Sequence, residues 1–258
     1  MLDPTKRFSN KVENYRKYRP RYPKAIIPLL EQECGLTRDA RIADIGSGTG
    51  LLAELFLEHG NCVIGIEPNL EMRVAGESML ARYPEFSSIV ATAETTSLPD
   101  ASVDFVTAGQ SFHWFDPEKA RAEFVRILRP SGWVMIVWNG FRADYSPINN
   151  AYQQLLLRYG TDYREVTREL ESRDLEAFFA PGKCKSAHFN FNQLFDYAGL
   201  EGRLLSSSFI PERGHPNYEP MLRDLRKIFE AYQENGKVAF AYETEMYYGQ
   251  LSISRADS

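Results

Sequence analysis

The stretch Arg41-Ile42-Ala43-Asp44-Ile45-Gly46-Ser47-Gly48-Thr49-Gly50 constrains the fold more than any other part of the chain. A short apolar run ends near an acid and enters a loop with glycine at every second position. An apolar run of helical character, Leu51-Leu52-Ala53-Glu54-Leu55-Phe56-Leu57, follows at once. A strand, a glycine loop and a helix amino terminus make a place where backbone N–H groups approach a ligand closely. Chains that end a buried strand this way commonly hold a nucleoside-containing cofactor there.

The flanking sequence supplies alternating elements. Residues 23–33 read as a helix opened by Pro23, with Pro28 working against regular geometry. Residues 40–45 form a first strand, and 51–59 its crossover helix, stopped by Gly60. A second buried strand spans 62–67, and Asn69 caps a helix running to about Tyr83, before Pro84. Strands three and four are expected at 88–92 and 103–108. Asp116-Pro117 pairs a cap with proline at the first helical position; that helix sets Ala120, Phe124, Ile127 and Leu128 on one face and ends at Pro130-Ser131-Gly132. A fifth strand follows at 133–138. This rhythm predicts an α/β fold: a Rossmann-like, mostly parallel sheet with helices on both faces.

After residue 140 the pattern changes. Residues 148–180 read as helical, 185–191 as a sixth strand, and 193–206 and 219–233 as helices. Residues 237–251 are long, aromatic and alternating, begin after the turn signal Asn235-Gly236, and are expected to lie antiparallel to their neighbour. Residues 1–258 therefore read as a single domain, with 1–24 as an amino-terminal cap and 140–183 as a helical insertion or lid over the ligand cleft.

Composition narrows the function classes. With 258 residues, 43% of them apolar, the chain can build one large core. No apolar run approaches the ~20 residues of a membrane span, and residues 1–11 carry charge without an apolar stretch, so neither a membrane nor a signal peptide is expected. Cys34, Cys62 and Cys184 are odd in number and far apart, which argues for a reducing, cytoplasmic setting. His59, His113, His188 and His215 lack metal-ligand spacing, so no metal is expected. Eight basic residues lie between Lys6 and Lys24 against one acid, Glu13. That run reads as a nucleic-acid arm or as a solvated cover for the site. Its interleaved tyrosines and prolines favour the cover, and no nucleic-acid partner is expected.

The spacing selects among cofactors. The dinucleotide fingerprint needs G-x-G-x-x-G; Gly46 and Gly48 fit, but Leu51 stands at the third glycine. An acid two residues before the first glycine, Asp44, suits a ligand with an ammonium or sulfonium end and suits a pyrophosphate poorly. A second acid, Glu67, ends strand two, 17 residues after Gly50. Its carboxylate can accept both ribose hydroxyls and would repel a 2′-phosphate.

As a set these residues resemble the class I S-adenosylmethionine-dependent methyltransferases. Residues 44–50 look like their first motif and Ile64-Gly65-Ile66-Glu67-Pro68-Asn69-Leu70-Glu71-Met72 like their second. Thr92-Ala93-Glu94, Leu98-Pro99 and Val103-Asp104-Phe105-Val106 resemble the third and fourth. Tyr15-Arg16-Lys17-Tyr18-Arg19-Pro20-Arg21-Tyr22-Pro23 and Gln110-Ser111-Phe112-His113-Trp114-Phe115 are similar to the type 11 small-molecule branch; the latter, with Ser206-Ser207-Ser208, resembles its trans-aconitate methyltransferase-like group. The resemblance implies a seven-stranded sheet with an antiparallel last strand, and S-adenosylmethionine as cofactor with S-adenosylhomocysteine as product.

It also implies roles. Asp44 would face the methionine ammonium, and Gly46, Ser47, Gly48, Thr49 and Gly50 would bring backbone to the methionine portion. Glu67 would hold the ribose diol, and Pro68, Asn69 and Met72 would wall the adenine. Where the family often has an acid for the adenine amino group, this chain has Thr92; Thr92, a neighbouring carbonyl or Glu94 is left to make that contact, beside Ala93. Gln110 and Ser111 follow strand four at its carboxyl end, where open α/β sheets put their chemistry. His113 beside Trp114 can serve as a base or shape the acceptor pocket; alternatively Trp114 and Phe115 pack on the crossover helix and His113 caps it. Tyr15, Tyr18 and Arg19 can close over the cofactor, with the arginine available to a substrate carboxylate, or belong to a structural helix.

The function expected is methyl transfer to a small molecule, a carboxylate among the candidate acceptors, by a monomer or homodimer. A nicotinamide-dinucleotide dehydrogenase is the enzymatic rival, opposed by Leu51 and Asp44. An RNA or DNA methyltransferase using the basic arm, and a regulatory protein that binds the cofactor without turnover, are the others.

Overall fold

Strands buried on both faces build the centre of this molecule. The computed structural model describes residues 14, 17–161, 163, 175–207 and 209–251. Strands β1 (Arg41–Ile45), β2 (Cys62–Ile66), β3 (Phe86–Ile89), β4 (Val103–Gly109) and β5 (Leu128–Phe141) pair in parallel. Strands β6 (Lys185–Phe195) and β7 (Val238–Gly249) complete a seven-stranded sheet of order β3-β2-β1-β4-β5-β7-β6. The last strand, β7, inserts between β5 and β6 and runs antiparallel to both.

Alternate residues feed different cores. Ile42, Val63, Phe105, Met135 and Val137 point to one face, where helices α1 (Ile26–Cys34) and α2 (Leu51–His59) pack. Ala43, Ile64, Val106, Val134 and Ile136 point to the other, under α4 (Pro117–Ile127) and α6 (Leu175–Phe179). Between these helices in the chain, α3 (Leu70–Leu80) follows β2, and its Leu80 joins the first core. A third core lies at the β7 end, where α5 (Pro147–Tyr159), α7 (Tyr197–Leu205) and α8 (Tyr218–Tyr232) close over Val238, Phe240 and Tyr242. Among the described residues no helix is long and apolar enough to cross a membrane.

Capping explains the helix boundaries. Asn69 accepts from the Met72 N–H, Asp116 from Lys119 and Asp196 from Gly199, each satisfying an orphan donor of a first turn. Asn235 and Gly236 take φ of 52° and 75°, closed by Glu234–Lys237 backbone bonds of 2.8 and 3.1 Å. That turn joins α8 to β7 rather than two strands.

Several expectations shift; the fifth strand starts directly after the helix, at Leu128, and runs to Phe141, where 133–138 was expected. The third strand lies at Phe86–Ile89, not 88–92, because its register on β2 ends with Ile66↔Ile89, and Thr92 bridges Thr95 instead of β2. Residues 90–92 are thereby released to the loop above the sheet. The sixth strand runs on to Phe195, where 193–206 was expected to be helix, because β7 pairs with it through Phe195↔Val238; helix α7 starts only after the Asp196 cap. The helical region 148–180 is broken after α5, which stops at Tyr159: Gly160 and Thr161 are not helical, while Tyr163 is helical again and α6 takes up residues 175–179.

Candidate cofactor and active site

The glycine loop is held by backbone. The N–H groups of Gly46 and Ser47 donate to the Ile66 carbonyl of the neighbouring strand at 2.8 and 3.1 Å. Gly46 has φ of 65°, and a Cβ there would stand 2.5 Å from the Ser111 Cβ, so the position excludes a side chain on two counts. Glu67, at the tip of β2, binds the loop from the other side. Its Oε2 accepts from the Gly48 N–H and its Oε1 from the Asn69 N–H, both at 2.8 Å. Burial pushes this carboxyl above its usual range, opposed by those two N–H donors.

Asp44 sits deeper, at 1% exposure. The Thr107 hydroxyl of β4 donates to its Oδ1 at 3.0 Å, while Oδ2 has no hydrogen-bond partner. Burial pushes its carboxyl up to about 7; the Thr107 hydroxyl and the Ala53 backbone in the first turn of α2 oppose the rise, and Glu67 adds to it. The buried Thr49 hydroxyl, in the same loop, also has no partner. Buried polar atoms are normally satisfied, so each exception calls for an explanation, a ligand among them.

These groups face one cleft, open to solvent, above the carboxyl ends of β1, β2 and β4. Of the residues named from the sequence for the cofactor, Asp44, Gly46, Ser47, Gly48, Thr49, Glu67, Pro68, Asn69, Met72, Thr92, Ala93, Glu94, Gln110 and Ser111 line it. Gly50 does not; it turns inward, where a Cβ would meet Leu80 at 2.5 Å. Thr92 is exposed and Ala93 buried. Glu94 accepts from the Asp116 N–H at 2.9 Å, which anchors this loop to the cap of α4.

The tip of β4 forms the opposite wall. Gln110, at φ of 57°, donates from Nε2 to the Asn139 carbonyl at 2.7 Å, and the Ser111 hydroxyl donates to the Ile45 carbonyl at 2.7 Å. One turn of tight helix, Phe112–Trp114, follows. Trp114 and Phe115 line the cleft, and Phe115 also stands edge-on to Phe124 of the crossover helix, 6.3 Å between centroids. His113 lies 4.6 Å, ring to ring, from Trp114 and is not part of the wall. Tyr18 packs on Gly202 of α7, and Arg19 donates from Nε to the Ser206 hydroxyl at 3.1 Å, so both stand beside the β7 end rather than in the cleft wall. Tyr15 and Ser208 lie outside the described residues.

Sequence reasoning passed over Tyr22, Leu51, Leu52, Ala91, Gly109 and Phe115, which also line the cleft. The signal for Gly109 was a small residue at a strand tip: a Cβ there would meet the Tyr22 hydroxyl at 2.5 Å. Tyr22 itself is carried in by a segment whose Arg21 pairs with Glu54 of α2 and whose Pro20 carbonyl accepts from the Asn139 amide at 3.2 Å.

The residues present fit a sulfonium nucleoside. A buried carboxylate oxygen and a buried hydroxyl lack partners, a second carboxylate stands one strand away, and the loop between them exposes backbone. Known proteins agree with that fit. Residues 43–136 match the family model described as a methyltransferase domain. An uncharacterized methyltransferase-like protein of Schizosaccharomyces pombe is 27% identical over 243 residues, 93% of each chain. An uncharacterized methyltransferase of Mycobacterium bovis is 36% identical over 132 residues, 51% of each chain, so that match spans about half of the relative's length. Among solved structures, a chain proposed to be a type II methyltransferase from Anaeromyxobacter dehalogenans superposes with a TM-score of 0.69 at 23% identity, covering 91% of this chain and 98% of that one. Phosphoethanolamine N-methyltransferase 2 of Haemonchus contortus, solved with S-adenosyl-L-methionine, gives 0.56 at 15% identity over 96% of this chain and 58% of its own. At these identities the structural likeness is one of fold.

Proposed function

We propose that this protein, a class I S-adenosylmethionine-dependent methyltransferase, methylates a small-molecule acceptor bearing a carboxylate, as an enzyme of the trans-aconitate methyltransferase-like branch. When bound, S-adenosylmethionine supplies an activated methyl whose bond to sulfur breaks as the bond to the acceptor forms, leaving a neutral thioether. In this reading ionised Asp44 receives the methionine ammonium, and Glu67 keeps its two backbone donors while its remaining lone pairs accept the ribose hydroxyls. Gly46, Ser47 and Gly48 present backbone to the methionine portion. Pro68, Asn69, Met72 and Ala93 wall the adenine, with Thr92 and Glu94 at its edge. Gln110 and Ser111 shape the floor, and Trp114 and Phe115 exclude water from the transfer path.

A carboxylate acceptor needs no base. A cationic donor and an anionic acceptor become a neutral thioether and a neutral ester, with no proton to remove. The protein then contributes alignment and desolvation, which is where most of the rate of such a displacement comes from. With no proton to remove, this reading gives His113, which packs on Trp114 outside the cleft wall, no role as a base.

The observation that carries the proposal is the unpartnered Oδ2 of buried Asp44, beside Glu67 at the next strand tip. Calorimetry with S-adenosylhomocysteine tests it. Micromolar binding that Asp44→Asn and Glu67→Gln each abolish is expected, and binding untouched by both substitutions would reject the site.

A further inference from the structure

Three side chains with metal-ligand chemistry meet on the β6–β7 ladder, away from the cofactor cleft. Antiparallel pairing sets His188 opposite Glu245 and Asn190 opposite Glu243. Strand alternation then turns His188, Glu243 and Glu245 to one face of the sheet, the face that carries Trp138 and Tyr247. A ring nitrogen of His188 and one oxygen from each carboxylate all lie within 4.8 Å of one another. Within that trio His188 Nδ1 and Glu243 Oε1 stand 3.3 Å apart.

The surroundings suit a cation. Glu243 is 7% exposed, unlike the solvated acids of an ordinary surface. Arg142 donates to its Oε2 at 3.1 Å, and the same guanidinium pairs with Asp144 at 3.1 Å. Glu243, Glu245 and Asp144 thus set three carboxylates against one guanidinium, an excess of negative charge that a bound cation offsets. The Tyr247 hydroxyl donates to Glu245 Oε2 at 3.4 Å. Each ligating carboxylate is therefore oriented through one oxygen by a neighbour, as carboxylates in metal sites usually are. Gly140 of β5 lies opposite Glu243, and among the described residues a Cβ there would meet nothing nearer than the Glu243 carbonyl oxygen at 3.9 Å. There is room beside the trio. A groove lined by Asp144, Tyr145, Asn190 and Asn192 begins next to Glu243, at its register partner Asn190, and opens to solvent.

We propose that His188, Glu243 and Glu245 hold a divalent zinc-class ion at a site separate from the cofactor cleft. One imidazole and two carboxylates suit zinc, and manganese less tightly, whereas magnesium takes oxygen ligands and keeps its water. Tetrahedral ligands about 2.1 Å from one ion stand about 3.4 Å from each other. His188 and Glu243 already have that spacing, and Glu245 completes it by rotating its side chain. Three protein ligands leave a fourth position to water or to a molecule in the groove. Arg142 is a positioning residue here, holding Glu243 by the oxygen the ion does not use. The site does not depend on the methyltransferase reading. Its ligands come from two strands far apart in the chain, so the spacing of the histidines gives no sign of it.

The test is calorimetry on the intact protein, stripped with a chelator and titrated separately with zinc, manganese and magnesium chloride. One zinc per chain at micromolar affinity or better is expected, with manganese weaker and magnesium weaker still. His188 is exposed and Glu245 partly so, and His188→Ala and Glu245→Gln should keep the circular-dichroism spectrum and melting curve of the parent. Each is expected to weaken zinc by about tenfold or more. Cobalt titrated in place of zinc should give visible absorption from a nitrogen- and oxygen-ligated ion, and His188→Ala should lose it. Zinc held equally well by the parent and by the variant carrying both substitutions would be adventitious binding elsewhere on the surface, and the site would be wrong. Failure of the parent to bind zinc at submillimolar concentrations would overturn it as well. Neither result touches S-adenosylhomocysteine binding, which the Asp44 and Glu67 variants test on their own.

Discussion

At the β1–β2 end of the sheet, Asp44, the glycine loop and Glu67 come from one stretch of chain, residues 44–67, and are tied by backbone N–H groups. At the β5–β7 end, Arg19 meets Ser206 across 187 positions and Asn139 meets Thr244 across 105, through side chains. The first region is set by local geometry, so its two carboxylates stand ready above a loop that backbone bonds already hold. The second exists only once helices α5 and α7 and the amino-terminal segment have packed on β7. A substitution in the first should therefore act on cofactor affinity, and one in the second on stability.

The largest effect expected is that of Asp44→Asn. Removing a buried charge that faces a cation costs several kcal/mol of binding, so S-adenosylhomocysteine affinity should fall by about 100-fold or more in calorimetry. A loss of that size from a substitution at the β7 end would break the contrast. The same variant has a second signature. The raised Asp44 value means its contribution to stability is complete at acid pH and is lost as pH rises through about 7. Asp44→Asn should thus melt at a higher temperature than the parent apoprotein at pH ~8, and the difference should shrink toward pH ~5.

Affinity should follow pH in the opposite sense. The ammonium of the cofactor selects ionised Asp44, so below about 7 binding should weaken, approaching about tenfold per pH unit. Calorimetry across that range checks it, and a flat profile would mean that Asp44 does not meet the cation. A smaller effect is expected for Gly46→Ala. Its Cβ would overlap Ser111, and its φ is left-handed, so a stability loss of about 1–3 kcal/mol, read by denaturant titration, is expected together with weaker cofactor binding.

At the other end, Asn139→Ala cuts the links to Pro20 and Thr244. A stability loss of about 1–2 kcal/mol is expected, with cofactor affinity changed less than about twofold. The smallest effect is that of Arg21→Ala. Arg21 is 61% exposed and Glu54 keeps Arg82 as partner, so melting should move by no more than a degree or two.

The strand tips and capped helices were legible because their signals are local. Asn69, Asp116 and the glycine loop act on their own neighbours in the chain, and helix α2 falls on the residues expected of it, 51–59. The third strand was read two residues late because Val90 and Ala91 look like strand residues, whereas pairing stops where β2 stops. The end of β6 was read as helix because β7, far along the chain, holds it in register. Within the site, Tyr22 and Gly109 escaped notice for a related reason: each matters because of the other, and their meeting is a tertiary event.

What the chain determined by itself is the glycine-loop turn, the acid at the end of each of two strands, and the continuous apolar runs that make those strands buried. Steric limits on φ and the period of a strand act within a few residues, and a reader of the sequence sees them. Only the tertiary structure decided that Asp44 would keep one oxygen without a partner, and that its carboxyl would rise to about 7. Desolvation and orphaned hydrogen-bonding groups depend on everything that packs around an atom. No stretch of sequence contains that list.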